Sequence, residues 1–176
     1  MRFPRTGGVR AARRGLISNG LLTLLRQPEH LDQLHRDPAL LPRAVEELLR
    51  YEPPVHMRER IPLADIDVAG TPIAQVFRHS GAGLGQPRPQ GAPPRVRFDP
   101  TRPDNEHLGF GSGIHVCYGA PLARIEAQAA LGALLPHLGT ARLAQDTPLY
   151  GQNAMLRGPR HLPSNSEAEE RRQQAR

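Results

Sequence analysis

Cys117 is the single cysteine of the 176-residue chain, and residues 110–119 around it read Phe-Gly-Ser-Gly-Ile-His-Val-Cys-Tyr-Gly. Gly111, Gly113 and Gly119 crowd the thiol, and glycine lets a backbone turn left-handed or approach a flat ligand closely. An apolar-periodic segment begins at Ala120. A helix starting there puts its positive end near the sulfur and favours the thiolate. Zinc would need three or four ligands at set spacings, so one thiolate at a helix start suits an axial haem ligand better. The plain alternative is a cysteine acting as a small buried hydrophobe.

A second constellation is Glu47 with Arg50, three residues apart and so on one side of a helix. At a surface such a pair is worth about 0–1 kcal/mol. With a further arginine, the carboxylate would instead be the centre of a fixed, bidentate cluster.

The elements that must position these groups follow from apolar spacing. Leu16, Ile17, Leu21, Leu22, Leu24 and Leu25 predict a helix over 16–26, cut short at its start. Pro28 suits a first helical turn, and Leu31 and Leu34 share a face of a short helix ending before Pro38. Leu41, Val45, Leu48 and Leu49 predict a helix over 40–51, stopped by Pro53 and Pro54. Short strand signals lie in 55–61 and 66–73, with Gly70 at a turn. Residues 99–108 form a Pro/Asp/Asn-rich meander, and 120–137 a strong helix with Leu122, Ile125 and Ala129 along one face.

Phe-Gly-x-Gly-x-His-x-Cys-x-Gly, continued by Ala-x-Leu-Ala-Arg-x-Glu, resembles the haem-thiolate signature of the cytochrome P-450 monooxygenases in their bacterial soluble form. Residues 47–55, Glu-x-x-Arg followed by Tyr-x-Pro-Pro-Val, are similar to that family's second hallmark. The resemblance implies a mainly α fold with small β elements. This chain would be its C-terminal haem-binding portion, incomplete because the family's fold needs more than twice the length. It implies that Glu47 and Arg50 are buried and locked to Arg102. Cys117 would ligate the iron, and its thiolate would push electron density that favours O–O cleavage. Phe110 would shield the sulfur, while amides of the glycine loop, Gly111 and Gly119 among its residues, would hydrogen-bond it and tune the potential. His115 and Arg60 would hold the haem propionates, with Arg58 as an alternative to Arg60. Residues 152–162 are similar to the family's C-terminal strand region. The implied partners are a ferredoxin-type electron donor and a small organic substrate.

Two departures from the family pattern bear on activity. The family's acid–alcohol proton relay would fall at Ala11 and Ala12, which cannot pass a proton. The half of the fold that forms the distal wall and the substrate pocket has no counterpart in the sequence. Residues 74–96 also lack the expected strand and Asn-Arg-Asp-Pro turn, although the spacing resumes at Arg97. A compensated reading-frame shift accounts for that: a family-like Ser-Gly-Asn-Arg-Asp-Pro, read from the third base, can give Gly-Gln-Pro-Arg-Pro, the sequence of residues 85–89. For this chain the favoured reading is therefore a non-catalytic remnant of such an enzyme.

Composition bounds the alternatives. The 23 basic residues are all arginine, as in a GC-rich genome. Five lie in residues 1–15 and four in 74–97, stretches without an acid; taking these nine from the net +6 leaves −3. Basicity confined to two patches could attract nucleic acid or an anionic membrane, or be a solvated coding product. No aromatic-interleaved or zinc-finger pattern accompanies it, so a basic binding module without haem ranks third, and neither nucleic acid nor membrane is expected as a partner. No apolar run approaches 18 residues, the start does not read as a secretory signal, and a lone cysteine fits a reducing cytoplasm. The expected organisation is a disordered basic 1–15, a partial haem domain over 16–163 with an aberrant, disordered 74–96, and a disordered tail at 164–176.

Overall fold

The computed structural model describes residues 7–75, 79–80, 97–139, 141–144, 146, 148–151, 153 and 155–165. Four helices carry the core: α1 (Gly7–Arg26), α2 (Pro28–Arg36), α3 (Leu41–Tyr51) and α4 (Ala120–Leu138). A 3-10 turn, Pro38–Leu40, joins α2 to α3, and the Asp37 side chain caps it by accepting from Ala39 N at 3.2 Å. Proline opens α2, α3 and α4 near their first turn, where its missing N–H costs nothing.

α1, α3 and α4 pack against one another, and α2 closes one side. Leu24, Leu34, Val45, Leu48, Leu49 and Leu131 are buried together with Phe98, which enters from the loop between the sheets and α4. His30 and Tyr51 meet the Phe98 ring edge-on, with centroids at 5.4 and 5.9 Å. Gly20 permits a close crossing: a Cβ there would lie 2.9 Å from Leu48 Cδ1 and 3.5 Å from Leu131 Cδ1.

The strands are short and pair antiparallel in twos. They are β1 (Glu59–Arg60) with β4 (His79–Ser80), β2 (Ile66–Val68) with β3 (Thr71–Ile73), and β5 (Arg142–Leu143) with β6 (Ser164–Asn165). The β2–β3 hairpin turns at Ala69 and Gly70, both with positive φ (51° and 82°), as a two-residue primed turn requires. Asp67 Oδ1 accepts from Gly70 N at 2.8 Å and closes the turn. Among the described residues no helix is long and apolar enough to cross a membrane.

Three expectations change. Disorder over 1–15 does not hold from Gly7 onward, where α1 already runs. Alanine and arginine are good helix formers, so the nucleus at 16–26 extends upstream. Tertiary contacts then hold it: Arg13 pairs with Glu126 of α4, and Gly15 lies against Pro54 and the Arg157 carbonyl. The missing strand of 74–96 is in part present, since His79–Ser80 pairs with Glu59–Arg60. Backbone pairing makes little demand on side-chain type. Gln75 is also fixed, its N–H donating to Asp65 Oδ1 and its Nε2 to the Leu63 carbonyl, each at 2.9 Å. The tail expected at 164–176 begins as a strand, Ser164–Asn165. Residues 1–6, 81–96 and 166–176, and with them the frame-shift idea over 85–89, lie outside the described residues.

Candidate functional site

The thiol loop is built by backbone hydrogen bonds. Gly111 N donates to Leu108 O at 2.8 Å, and positive φ at Gly111 (75°) turns the chain back. A 3-10 turn, Gly113–His115, starts with positive φ at Gly113 (63°) and is closed by Val116 N donating to Gly113 O at 3.1 Å. Cys117 N then donates to Phe110 O at 2.8 Å, which closes the loop, and Ala120 N donates to Cys117 O at 3.1 Å, which leads into α4. The sulfur lies beside the helix start, since a Cβ on Gly119, the N-cap of α4, would be 3.9 Å from it.

Cys117 is exposed, and so are apolar side chains of its loop, Ile114 (96%) and Tyr118 (101%), and of the first turns of α4, Leu122 (56%) and Ile125 (64%). The stripe of Leu122, Ile125 and Ala129 thus faces outward, and Ala120, Ala127, Leu131 and Leu135 are the buried face of α4. Alanine and leucine occur all round this helix, so its apolar pattern does not select the inward side. A water-facing thiol set in an exposed apolar surface at a helix start fits a flat, largely apolar ligand bound through one sulfur. Among the described residues no cluster of three or more His, Cys, Asp or Glu could hold a metal on its own. The donor set therefore fits haem, and the residues that would hold it on this side are Cys117, the Gly111 and Gly119 backbone, and the apolar rim.

Behind the loop, Glu47 is the centre of a buried cluster. Glu47 and Arg50 are 0% and 9% exposed, so the pair is not a surface one. Arg50 donates Nε to Glu47 Oε2 at 2.6 Å and Nη2 to Oε1 at 2.8 Å. Arg102 approaches the same carboxylate at 3.3 Å, and Asp99 N donates to Oε1 at 2.9 Å. Both arginines also donate to the Arg97 carbonyl, at 3.1 and 3.2 Å. The structure thus brings Glu47, Arg50 and Arg102 together and ties α3 to the loop that inserts Phe98.

His115 is exposed at the end of its 3-10 turn, and Arg58 is exposed just before β1. Arg60 stands in β1, opposite His79, with its side chain outside the described atoms. Phe110 is half-buried against the core.

Sequence reasoning missed a second carboxylate cluster. Glu46 takes both prongs of the Arg124 guanidinium, Nε at 2.7 Å and Nη2 at 2.9 Å, and meets His107 Nε2 at 3.0 Å. Gly109 N donates to His107 Nδ1 at 3.1 Å, which makes Nδ1 the acceptor and leaves the ring proton on Nε2, facing Glu46. Burial alone would push the Glu46 carboxyl up, but hydrogen bonds from His107 and Arg124, with the Arg124 charge, hold it down at about 2. The same pairing raises Arg124, more than burial lowers it. The available signal was the second acid of the Glu46-Glu47 pair and an arginine inside the Ala-x-Leu-Ala-Arg-x-Glu stretch.

Comparison with known proteins fits this geometry. No protein-family model matches the chain. It is 44% identical over 147 residues to the biotin biosynthesis cytochrome P-450 of Bacillus subtilis, an alignment covering 80% of this chain and 37% of the relative. It is 39% identical over 153 residues to 6-deoxyerythronolide B hydroxylase of Saccharopolyspora erythraea, covering 84% of this chain and 37% of the relative. Among solved structures it is similar to P-450BioI in complex with a hexadec-9Z-enoic acid-ligated acyl carrier protein, with TM-score 0.83 and 39% identity over 89% of this chain and 41% of that one. The chain therefore spans well under half the length of the proteins it matches, and it belongs to the bacterial type of the cytochrome P-450 superfamily, sharing part of that mainly helical fold.

Proposed function

We propose that Cys117 is the axial thiolate of a haem site, and that the chain carries the proximal half of a monooxygenase's machinery without the means for turnover. The observation that carries this is the closed loop of residues 110–119, which presents one exposed thiol at the start of α4 within an apolar rim. When bound, haem supplies the oxygen chemistry, the insertion of one oxygen atom into an organic substrate. The chain's own residues bind and orient. Cys117 would hold the iron, Phe110 and the Gly111 and Gly119 backbone would surround the sulfur, and His115 and Arg60 would bind the propionates. Glu47, Arg50 and Arg102 hold α3 and the 97–102 loop behind the site. In the intact reaction the electron donor would be ferredoxin-type and the substrate a small organic molecule.

The absence of turnover rests on α1. Ala11 is exposed and Ala12 half-buried, and a methyl group can neither donate nor accept a proton where the relay is needed. The test is expression of the full chain with haem supply, reduction, and addition of carbon monoxide. A thiolate-type shifted Soret band, lost in Cys117→Ser, is the expected result. Absence of haem uptake by the wild-type chain refutes the ligand assignment. Substrate oxidation by the loaded chain with a ferredoxin donor refutes the non-catalytic reading.

A further inference from the structure

Glu46 and Glu47 are neighbours on α3 and serve different loops. Glu47 grips Arg50, Arg102 and the Asp99 amide. Glu46 points the other way, to His107 just ahead of the thiol loop and to Arg124 just after it. These two residues contact one and the same ring. The Arg124 guanidinium lies over Phe110 at 4.7 Å from its centroid, and the His107 ring meets it tilted, with centroids 6.1 Å apart. The Phe110 carbonyl receives the Cys117 N–H at 2.8 Å. His107 also fixes Gly109, whose missing Cβ would sit 3.0 Å from the Leu49 carbonyl, so the loop is pressed directly onto α3.

We propose that Glu46 is a positioning residue for the thiol loop: by holding Arg124 and His107 at once it fixes Phe110, and through the Phe110 carbonyl it fixes Cys117. Its value to function rests on the reading of Cys117 as the haem ligand, but the brace itself needs no haem. A bidentate carboxylate–guanidinium pair is both strong and directional. A half-exposed pair of this kind would be expendable if it served stability alone. Its place on both ends of one loop gives it a geometric task, since neither Arg124 nor His107 has another side-chain anchor holding it over Phe110 among the hydrogen bonds described. The brace joins α3, α4 and the chain just ahead of the loop, and Cys117 itself stays exposed.

The test is amide hydrogen exchange and amide chemical shifts in the full chain without haem, comparing wild type with Glu46→Gln. The substitution keeps the side-chain shape and removes the charge. The Cys117 and Gly109 amides are expected to exchange about tenfold faster, equivalent to about 1.4 kcal/mol, and their resonances to move. The Asp99 amide, held by Glu47, is the internal control and should stay within about twofold. Arg124→Lys keeps the charge but loses the fork, and should loosen the same amides to a smaller extent; it decides the matter if Glu46→Gln does not fold. Unchanged loop amides overturn the proposal. So does acceleration of Asp99 equal to that of Cys117, which would mean general destabilisation. If the wild-type chain takes up no haem, the ligand reading fails while the exchange result still decides the brace.

Discussion

Glu47→Gln tests the buried cluster most severely. The substitution keeps the side-chain volume and removes the buried negative charge that Arg50 and Arg102 share. Arg50 is buried, and its two donors now end at 2.6 and 2.8 Å on the Glu47 carboxylate. Arg102 lies 3.3 Å from the same group, and the Asp99 amide donates to it at 2.9 Å. Two guanidinium groups would then share a neutral amide that can itself accept through one oxygen only. Removing one partner of a buried, hydrogen-bonded pair costs about 3–5 kcal/mol, against a total stability of about 5–15 kcal/mol for a domain. Urea unfolding followed by far-UV circular dichroism reads this directly. With a slope of about 1–3 kcal/mol/M, the midpoint should fall by roughly 1–5 M, or the variant should be unfolded in water. Glu52→Gln is the comparison. It weakens an exposed pair with Arg157 (2.7 Å) and should cost about 0–1 kcal/mol. A Glu47→Gln loss below about 1 kcal/mol would refute the argument, because the cluster would then be behaving as a surface pair despite its burial.

Three further outcomes follow from the geometry. Glu46 is held at about 2 in the folded chain against 4.5 for an ordinary glutamate, so its stabilising contribution is complete above 4.5 and is lost as pH falls through the folded value; the stability gap between wild type and Glu46→Gln should narrow as pH is lowered across that window in urea titrations. Leu131→Ala empties a fully buried position between α1, α3 and α4 and should cost about 2–5 kcal/mol by the same unfolding assay. Gly15→Ala would place a Cβ 2.9 Å from Pro54 Cβ and 3.2 Å from the Arg157 carbonyl, a backbone atom that cannot swing away, and should lower the unfolding free energy by about 1–3 kcal/mol even though alanine is the better helix former.

The helices were legible where leucines recur at helical spacing and proline marks the first turn, which is why α2, α3 and the second half of α1 follow the sequence pattern closely. The first half of α1 was not legible, because residues 7–15 have no apolar period. Their helix depends on partners remote in the chain, Glu126, Pro54 and Arg157, and local sequence carries no mark of them. The burial of α4 failed for a different reason. Its face toward the core is Ala120, Ala127, Leu131 and Leu135, and its outward face is just as apolar. Periodicity identifies a helix but cannot orient one that is apolar all round. Glu46 shows a third limit. Two adjacent glutamates are equivalent on paper, and only the turn of α3 sends one to the 97–102 loop and the other to Arg124 and His107.

That division of labour on α3 bears on how the thiol site would form. Ile114 and Tyr118 of the thiol loop and Leu122 and Ile125 of α4 stand exposed, so the surface that a flat ligand at Cys117 would cover is apolar and wet. Covering it is favourable at about 25 cal/mol per Å² of apolar surface. The cost of binding is then set by how much of the loop must be ordered at the same moment. The contacts that fix the loop are the Phe110 carbonyl on Cys117 N, the turn hydrogen bonds of Gly111 and Val116, His107 on Gly109, and Arg124 on the Phe110 ring, with Glu46 holding both side chains. None of them passes through the sulfur. A loop held in this way keeps its shape before a ligand arrives, and the ordering cost is already met by folding. Ligation at Cys117 and stability of the fold should accordingly separate under mutation: Cys117→Ser should leave the urea midpoint unchanged while removing the thiolate band, and Glu47→Gln should do damage to both.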